Sequence, residues 1–373
     1  MNTIIFNGNL ITPGEPVAGG WVLVEGGRIA AVGSGTPPAA DRRIDAAGRF
    51  IAPGFIDMHI QGLDGIDLWD ESDERFRQAA AAMAATGCTS AVASVDATEE
   101  VCRLMRPRVG VATGGARLLG LYFESPFIST GKRGAIPASR VRPPSAQAAR
   151  DLLRWSAGTL AAITLAPEVP GVMEVLPILR AAAGPAGPVV TAFGHSEATY
   201  EQAAAGIEAG LKHCTHLYNA MTGLHHRKPG AVGALLTRPD ASVEIVGDGI
   251  HVHPAAVRIA VACKGAAAVC LITDASSGTT ARIYDGAPRL ADGTLAGSIL
   301  TMDRGVANLR RFAGVTLPEA VEMATLSPAR VLGFDRTKGR LAPGYDADVV
   351  LFDADVKVSM TMVGGEVVYE RAV

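Results

Sequence analysis

The sequence predicts a (β/α)8 barrel that carries a small β-sandwich domain built from both ends of the chain. Eight short apolar runs alternate with Ala-rich stretches of helical period through the middle of the chain. These runs are continuously apolar, as expected for a parallel sheet whose outer face is covered by helices. The pattern at both ends of the chain predicts strands joined by turns instead. The 373 residues leave room for a barrel of about 250 residues and a smaller unit beside it.

The terminal segments, residues 1–52 and 340–373, are predicted to form the small domain together. The first contains TIIFNGNLI and GWVLVEGGRIAAVGSG, in which Glu25-Gly26-Gly27-Arg28 predicts a tight hairpin turn. The second contains DADVVLF and, after the Gly364-Gly365 turn, EVVYE. Two strand-rich ends around a different middle indicate that the barrel, residues 53–339, is inserted into one small sheet domain.

The middle of the chain supplies eight βα units. The strand candidates are FIAPGFIDMHI, CTSAVASV, LLGLYFES, AAITLAP, PVVTAFGHS, HCTHLYNA, VEIVGDGI and AVCLITDAS. The helical segments include 74–86, 146–156, 171–183, 199–210 and 254–263, and 317–332 closes the series. A doubly wound open sheet is the alternative, but it usually carries a Gly-rich phosphate turn after an early strand. GFIDMHIQG lacks that pattern.

The net charge and the cysteines indicate which partners and which cellular compartment suit this chain. The net charge of −3 gives no basic footprint for nucleic acid or for an anionic membrane, so we expect a small-molecule partner. The N-terminus shows no secretory leader, and no apolar run approaches the roughly 20 residues that cross a bilayer. Five cysteines without a CxxC pair favour reduced thiols and a cytoplasmic location.

Polar residues of metal and acid–base chemistry follow the apolar runs. Buried carboxylates and imidazoles are costly unless they are paired or bind a metal, so their concentration at strand ends needs a reason. In a barrel, the carboxyl ends of the strands form the rim that holds the active site. These residues are Asp57, His59, Asp96, Glu124, His195, His216, Asp248, His251 and Asp274.

Three of these residues have the composition of a catalytic zinc site. Glu124, His195 and His216 supply one carboxylate and two imidazoles and leave a position open for water. The alternatives are buried core histidines and a structural ion pair at the rim. Asp274 ends the eighth strand, where a carboxylate can take and return a proton as a general acid/base. The alternative for Asp274 is a helix N-cap before ASSG.

The motifs of the chain resemble those of the N-acetylglucosamine-6-phosphate deacetylase family of the amidohydrolase superfamily. The resemblance covers nearly the whole length, and it depends on the order and spacing of short pieces. These pieces are APGFIDMHIQG (52–62), GLYFESPFIS (120–129), ITLAPE (163–168), GHSEATYEQAAAGIEAG (194–210), THLYNAM (215–221), HRKPG (226–230), DGIHV (248–252), ITDA (272–275), GSILTM (297–302) and ATLSPAR (324–330).

The resemblance implies roles for further residues. It implies that Glu124, His195 and His216 hold the metal and that Asp274 is the general acid/base. It also implies substrate contacts from four residues, with the phosphate contact reaching across the interface of a homodimer. These residues are Asn219, Ala220, Arg227 and His251. For Arg227 the alternative is a solvated basic turn, and for His251 it is a role in the core or in support of the residues that contact the substrate.

Two departures from the family pattern concern the metal count and the substrate. Superfamily members with two metals carry His-x-His after the first strand, whereas this chain has His59-Ile60-Gln61. The neutral amide of Gln61 is a poor ligand, so one divalent ion is favoured, with zinc preferred. His59 then supports the site from behind or belongs to a weak second metal site. The second departure concerns substrate reading, because Ile136 and Ser125 replace the usual His and Gly.

We therefore predict a metal-dependent hydrolase that removes the acetyl group from N-acetylglucosamine 6-phosphate, giving glucosamine 6-phosphate and acetate. One alternative is deacetylation of another acylated amine, either N-acetylgalactosamine 6-phosphate or a non-sugar acyl compound. Another is an inactive barrel that acts as a binding or scaffold protein. The complete set Glu124, His195, His216 and Asp274 argues against that second alternative, because an inactive barrel has no physical need for all four.

Overall fold

Eight parallel strands form the centre of the molecule in the computed structural model, which describes residues 2–12, 14–278 and 281–371. Most residues of these strands are buried, which explains their continuously apolar sequences. The strands are β1 (Phe55–Ile60), β2 (Cys88–Ser94), β3 (Arg117–Phe123), β4 (Leu160–Leu165), β5 (Val190–Phe193), β6 (His213–Cys214), β7 (Ser242–Val246) and β8 (Val269–Ile272).

The barrel strands follow one another in chain order, and each pairs in parallel with the next. The seam between β1 and β8 is closed by hydrogen bonds just beyond the strand ends. The Asp274 N–H donates to the His59 carbonyl at 2.9 Å, and the Gln61 N–H donates to the Ala275 carbonyl at 2.8 Å. The predicted (β/α)8 barrel is confirmed, and its closure brings the ends of β1 and β8 together.

Helices cover the outside of the barrel. They are α1 (Asp73–Ala85), α2 (Glu99–Met105), α3 (Ala146–Ser156), α4 (Val172–Arg180), α5 (Tyr200–Ala209), α6 (Gly230–Thr237), α7 (Pro254–Lys264), α8 (Met302–Ala313), α9 (Leu317–Ala324) and α10 (Leu326–Leu332). Segment 317–332 is thus two helices, because Thr325 leaves the helical region with φ −134° and ψ −79°. Pro328 favours this break, since a proline ring clashes with the carbonyl four residues earlier in a continuous helix.

The two ends of the chain meet in one mixed sheet. Its strands are Asn2–Leu10, Val17–Glu25, Arg28–Ser34, Arg42–Asp45, Phe50–Pro53, Val349–Phe352, Val358–Val363 and Glu366–Glu370. Strand 50–53 pairs with strand 349–352 and so joins the N-terminal part to the C-terminal part. The sheet has an apolar core of its own that includes Ile5, Val22 and Met362. The boundaries predicted at 52/53 and 339/340 stay a prediction.

The predicted hairpin turn at Gly26-Gly27 is present. Both glycines have positive φ, 57° and 77°, which suits a two-residue turn between twisted antiparallel strands. Two short hairpins lie elsewhere, Gly62–Leu63 with Ile66–Asp67 and Arg282–Tyr284 with Ala287–Arg289. Among the described residues, no helix has the length and apolar character that a membrane span requires.

Candidate active site

Four polar residues predicted from the sequence stand at the same rim of the barrel. Glu124 directly follows β3, and His195, His216 and Asp274 each lie two residues beyond the ends of β5, β6 and β8. Parallel strands in a barrel present their carboxyl ends to one side, so residues far apart in sequence converge there. The strand order therefore accounts for the meeting of these four side chains.

Glu124, His195 and His216 form a group that could hold a metal ion, with ligand atoms within 4.8 Å of one another. One carboxylate oxygen, Oε1 of Glu124, lies 2.9 Å from Nε2 of His195 and 2.7 Å from Nε2 of His216. The two Nε2 atoms are 3.1 Å apart. Both imidazoles are almost completely buried, and the contacts of 2.7 to 3.1 Å leave no room for a water molecule between these groups.

The ring of His195 is oriented so that Nε2 can act as a ligand. Its Nδ1 lies 2.7 Å from the carbonyl of Lys132, which can only accept a hydrogen bond, so Nδ1 carries a proton. In the neutral ring, Nε2 then has a lone pair that faces the carboxylate and the second imidazole. A cation among these lone pairs removes their repulsion, so the donor set fits a divalent metal such as zinc.

The backbone at the site is held in the left-handed region at residues that seldom adopt it. His195, His216 and Asp274 have φ values of 48°, 25° and 47°. Such conformations persist where the surroundings fix them, and they are concentrated at functional sites. After His195, the Glu168 carboxylate provides this support by accepting from the Ser196 hydroxyl at 2.7 Å and from the Glu197 N–H at 2.5 Å.

The carboxylate of Glu124 and the imidazole of His216 shift each other's pKa values toward the charged forms. Burial alone would raise the pKa of Glu124, but the close imidazoles of His195 and His216 and the charge of His59 hold it well below its usual value. For His216, burial lowers the pKa, yet the hydrogen bond and charge of Glu124 raise it above its ordinary value. Nδ1 of His216 is buried without a hydrogen-bond partner among the described residues. Glu124 is thus an anionic centre around which cationic groups gather.

Asp274 faces this group from the end of β8. Its Oδ1 accepts a hydrogen bond from the amide of Gln61 at 3.2 Å and lies 3.7 Å from Nε2 of His59. Burial raises the pKa of Asp274 above its usual value, the nearby carboxylate of Glu124 raises it further, and the His59 charge opposes both. A carboxylate with a raised pKa takes up a proton more readily than an exposed one, as general acid/base work requires.

The site opens into a pocket of about 870 Å³ that is large enough for a sugar phosphate. Asn219, Ala220 and His251, predicted as substrate contacts, line this pocket together with the metal group and Asp274. The carboxylate of Asp248 accepts a hydrogen bond from Nδ1 of His251 at 2.6 Å, so Nε2 is the ring nitrogen that this contact leaves available.

Arg227 stands apart from the other predicted substrate contacts. It is exposed, and its Nη1 lies 2.8 Å from Nε2 of His226. It is not among the residues that line the pocket of its own chain. Within one chain, therefore, the structure does not bring Arg227 to the site.

The loop after Glu124 contains the residues that depart from the family pattern. Ile136 lines the pocket, and its carbonyl accepts a hydrogen bond from Nη1 of Arg133 at 2.7 Å. Ser125 is buried and also contributes to the pocket wall. An apolar side chain therefore occupies the place at which an imidazole was expected.

Two buried residues behind the site are not among those predicted from the sequence. Glu244 and His213 lie on neighbouring strands, and the Glu244 carboxylate is fully buried in hydrogen-bonding contact with both His213 and His59. Glu244 lies inside the apolar run VEIV, and His213 lies within the sixth strand, ahead of the strand end at which His216 is predicted. A lone charged residue within a buried strand was the one signal that could have identified this cluster.

Comparisons with known proteins agree with this architecture. A family model described as the amidohydrolase family matches residues 50–368. The N-acetylglucosamine-6-phosphate deacetylase of Lysinibacillus sphaericus is 34% identical over 363 residues, which cover 93% of this chain and 92% of that protein. The N-acetylgalactosamine-6-phosphate deacetylase of Escherichia coli O157:H7 is 35% identical over 333 residues, which cover 85% of this chain and 87% of that protein.

A solved structure extends the similarity to nearly every residue. It is a mutant N-acetyl-D-glucosamine-6-phosphate deacetylase of Mycobacterium smegmatis in complex with N-acetyl-D-glucosamine 6-phosphate. It is 32% identical to this chain and superposes with a TM-score of 0.89 over 99% of both chains. The similarity therefore includes the terminal sheet as well as the barrel.

Proposed function

The chain belongs to the amidohydrolase family, and from this premise we propose that it hydrolyses the acetamide of N-acetylglucosamine 6-phosphate to glucosamine 6-phosphate and acetate. The observation that carries the proposal is the convergence of Glu124, His195, His216 and Asp274 at one rim of the barrel. Relatives with this activity in their names match most of the chain, and the pocket suits a ligand of this size.

Glu124, His195 and His216 would hold one divalent ion, for which zinc is the preferred choice. A bound ion of this kind supplies Lewis acidity that polarises the acetyl carbonyl. The amide of Gln61 donates to Asp274, and as a neutral group it is a poor ligand, which favours a single ion. His59 then supports the site from behind the ligands.

Asp274 carries the proton through the reaction. When water attacks the acetyl carbon, the carboxylate takes a proton from that water. It then delivers the proton to the nitrogen as the carbon–nitrogen bond breaks, because an unprotonated amine is too basic to leave. Acetate and the free amine are the products. The raised pKa of Asp274 suits both halves of this cycle.

Contacts with the substrate are assigned to Asn219, Ala220, Arg227 and His251, with the phosphate at Arg227. The first two and His251 line the pocket, whereas Arg227 is exposed and outside it. A guanidinium offers a planar fork of donors that suits a phosphate. We therefore assign Arg227 to the pocket of the partner subunit in a homodimer. A cytoplasmic location, favoured by the cysteine usage, belongs to the same proposal.

N-acetylgalactosamine 6-phosphate is the alternative substrate with a specific observation in its favour. A relative that bears this activity in its name is 35% identical over most of its length. Ile136 lines the pocket where the family usually has His, so one polar contact to the sugar differs from the usual pattern.

A substrate panel distinguishes these activities. Acetate release is measured for N-acetylglucosamine 6-phosphate, N-acetylgalactosamine 6-phosphate, both unphosphorylated sugars and N-acetylated amino acids. We expect the highest kcat/KM for N-acetylglucosamine 6-phosphate. A higher value for the galactose isomer would move the assignment to that substrate, and equal values with and without phosphate would remove the role of Arg227. No turnover by zinc-loaded protein on any compound would favour the scaffold alternative.

A further inference from the structure

Glu244 is a charged residue in the interior of the barrel. It lies on β7 between buried Val243 and Ile245, and its side chain is completely buried. A buried carboxylate is costly unless hydrogen bonds compensate for the lost water. Three donors surround this one: Nδ1 of His59 at 2.9 Å, the His216 N–H at 3.0 Å and Nε2 of His213 at 3.1 Å.

The contact with His59 fixes the direction of that ring. Oε2 of Glu244 accepts the His216 N–H, which can only donate, and the same oxygen lies 2.9 Å from Nδ1 of His59, so it is the acceptor of that contact as well. Nδ1 of His59 must then carry a proton, and Nε2 points the other way. The ring of Tyr122, with its centroid 4.6 Å from that of His59, packs against the imidazole.

Nε2 of His59 faces the carboxylates of Asp274 and Glu124 but is not hydrogen-bonded to either. It lies 3.7 Å from Oδ1 of Asp274 and 3.8 Å from Oε2 of Glu124. The atom is fully buried and has no hydrogen-bond partner among the described residues. A buried polar atom without a partner is rare in native proteins, and a function at the neighbouring site gives a reason for it.

We propose that Glu244 is a positioning residue for the hydrolysis, which acts by orienting His59 so that the Nε2–H of the doubly protonated ring faces the Asp274 carboxylate and holds it in place. The order of contact is Glu244 to His59 and His59 to Asp274. The proposal rests on the proposed function, because it assigns Glu244 and His59 to the support of the proton carrier.

The variants Glu244→Met and His59→Asn test the proposal. The methionine keeps the length of the side chain and removes both acceptor oxygens. The asparagine amide can take the place of Nδ1, and it lacks any atom at Nε2. Each variant should lower kcat by about 10- to 100-fold with little change in KM, since losses of this size follow removal of a supporting contact. Zinc content should stay at the wild-type value.

The double variant shows whether Glu244 acts through His59. In the His59→Asn background, Glu244→Met should lower kcat by less than about twofold further, since the two residues form one unit. Losses that multiply in the double variant would overturn the proposal. If Glu244→Met does not fold, Glu244→Asp takes its place in the same cycle, because its carboxylate is drawn back from Nδ1 by one methylene group.

His213→Asn is the matched control. It can keep the contact that Nδ1 of His213 makes with the Ser242 hydroxyl at 2.8 Å, and it removes the bond from Nε2 to Glu244. A loss of thermal stability with wild-type kcat is the expected result. If this variant lowered kcat as much as Glu244→Met, general disturbance of the cluster would explain the data and the positioning role would be wrong.

A measurement without substrate separates this proposal from the proposed function. Ring ¹⁵N shifts of the histidines should show His59 protonated at Nδ1 in the wild type, with that signal shifted in Glu244→Met. Wild-type protein without deacetylase activity would refute the proposed function. The spectrum would still show whether Glu244 orients the ring of His59. An unchanged His59 signal in the variant would refute the orientation by Glu244.

Discussion

At the scale of single residues, the site depends on a few side chains whose backbone conformations are unusual. Asp274 has φ 47°, and its Oδ1 is placed between Gln61 and His59. The left-handed region is several-fold enriched in Asn and Asp and is costly for most other residues. Asn is therefore the substitution at position 274 that removes the carboxylate proposed as proton carrier and keeps the backbone.

The variant Asp274→Asn should lose activity and keep both its fold and its metal. Because an amide cannot take a proton from water near neutral pH, we expect kcat to fall by about 10²- to 10⁴-fold. The thermal melting temperature and the zinc content measured by elemental analysis serve as controls. Retained turnover would show that Asp274 is a helix cap and not the acid/base.

Whether a residue could be predicted from the sequence depended on where it stands along its strand. Glu124, His195, His216 and Asp274 follow apolar runs, so the rule that barrel strands end at the site identified them. Glu244 and His213 lie within strands, where alternation between barrel interior and helix layer decides their environment. A single sequence does not contain the pairing that brings Glu244 to His59.

At the scale of elements, the seam between β1 and β8 determines the position of Asp274. The fully buried carboxylate of Asp57 on β1 accepts hydrogen bonds from the Thr273 hydroxyl at 2.5 Å and from the Thr273 N–H at 3.2 Å. Thr273 directly follows β8 and precedes Asp274. Burial is the largest cause that raises the pKa of Asp57, from 3.8 to about 7, against the hydrogen bonds from Thr273.

This seam should make stability depend on pH. The native state keeps the Asp57 proton up to about pH 7, whereas the unfolded chain releases it near 3.8. The native state therefore binds more protons between these values, and the free energy of unfolding falls as pH rises through that window. One proton corresponds to a slope of at most about 1.4 kcal/mol per pH unit.

The variant Asp57→Asn isolates this contribution, since an amide does not titrate. Urea denaturation at several pH values between 4.5 and 6.5 should give a less negative slope for the variant than for the wild type. If the free energy of unfolding changed with pH by the same slope in both proteins, Asp57 would not hold a proton in the native state.

At the scale of the whole molecule, the pocket of one chain does not include every residue assigned to the substrate. Arg227 is exposed and lies outside the pocket of its own chain, while the other assigned contacts line that pocket. The general shape, a barrel with a sheet from both termini, could be predicted from hydrophobic patterns. The position of Arg227 relative to the pocket could not, because it depends on how the loop after β6 is folded.

Complementation between two inactive variants tests the homodimer. If Arg227 of one subunit serves the site of the other, a mixed dimer of Arg227→Ala and Asp274→Asn has one intact site. Random mixing by co-expression should restore about one quarter of the wild-type activity at low substrate. Activity no greater than the sum of the separate variants would place Arg227 outside the partner's site, and a monomer in solution would exclude the arrangement.

The most direct test of the account is the fate of the oxygen atom of water. Zinc-loaded enzyme is incubated with N-acetylglucosamine 6-phosphate in ¹⁸O-labelled water, and both products are analysed by mass spectrometry. We expect acetate with one ¹⁸O atom and an equal amount of glucosamine 6-phosphate that contains no more label than the same sugar kept in that water without enzyme, and almost no product with Asp274→Asn. Unlabelled acetate, or more label in the sugar than exchange without enzyme produces, would contradict hydrolysis of the amide by water at this site.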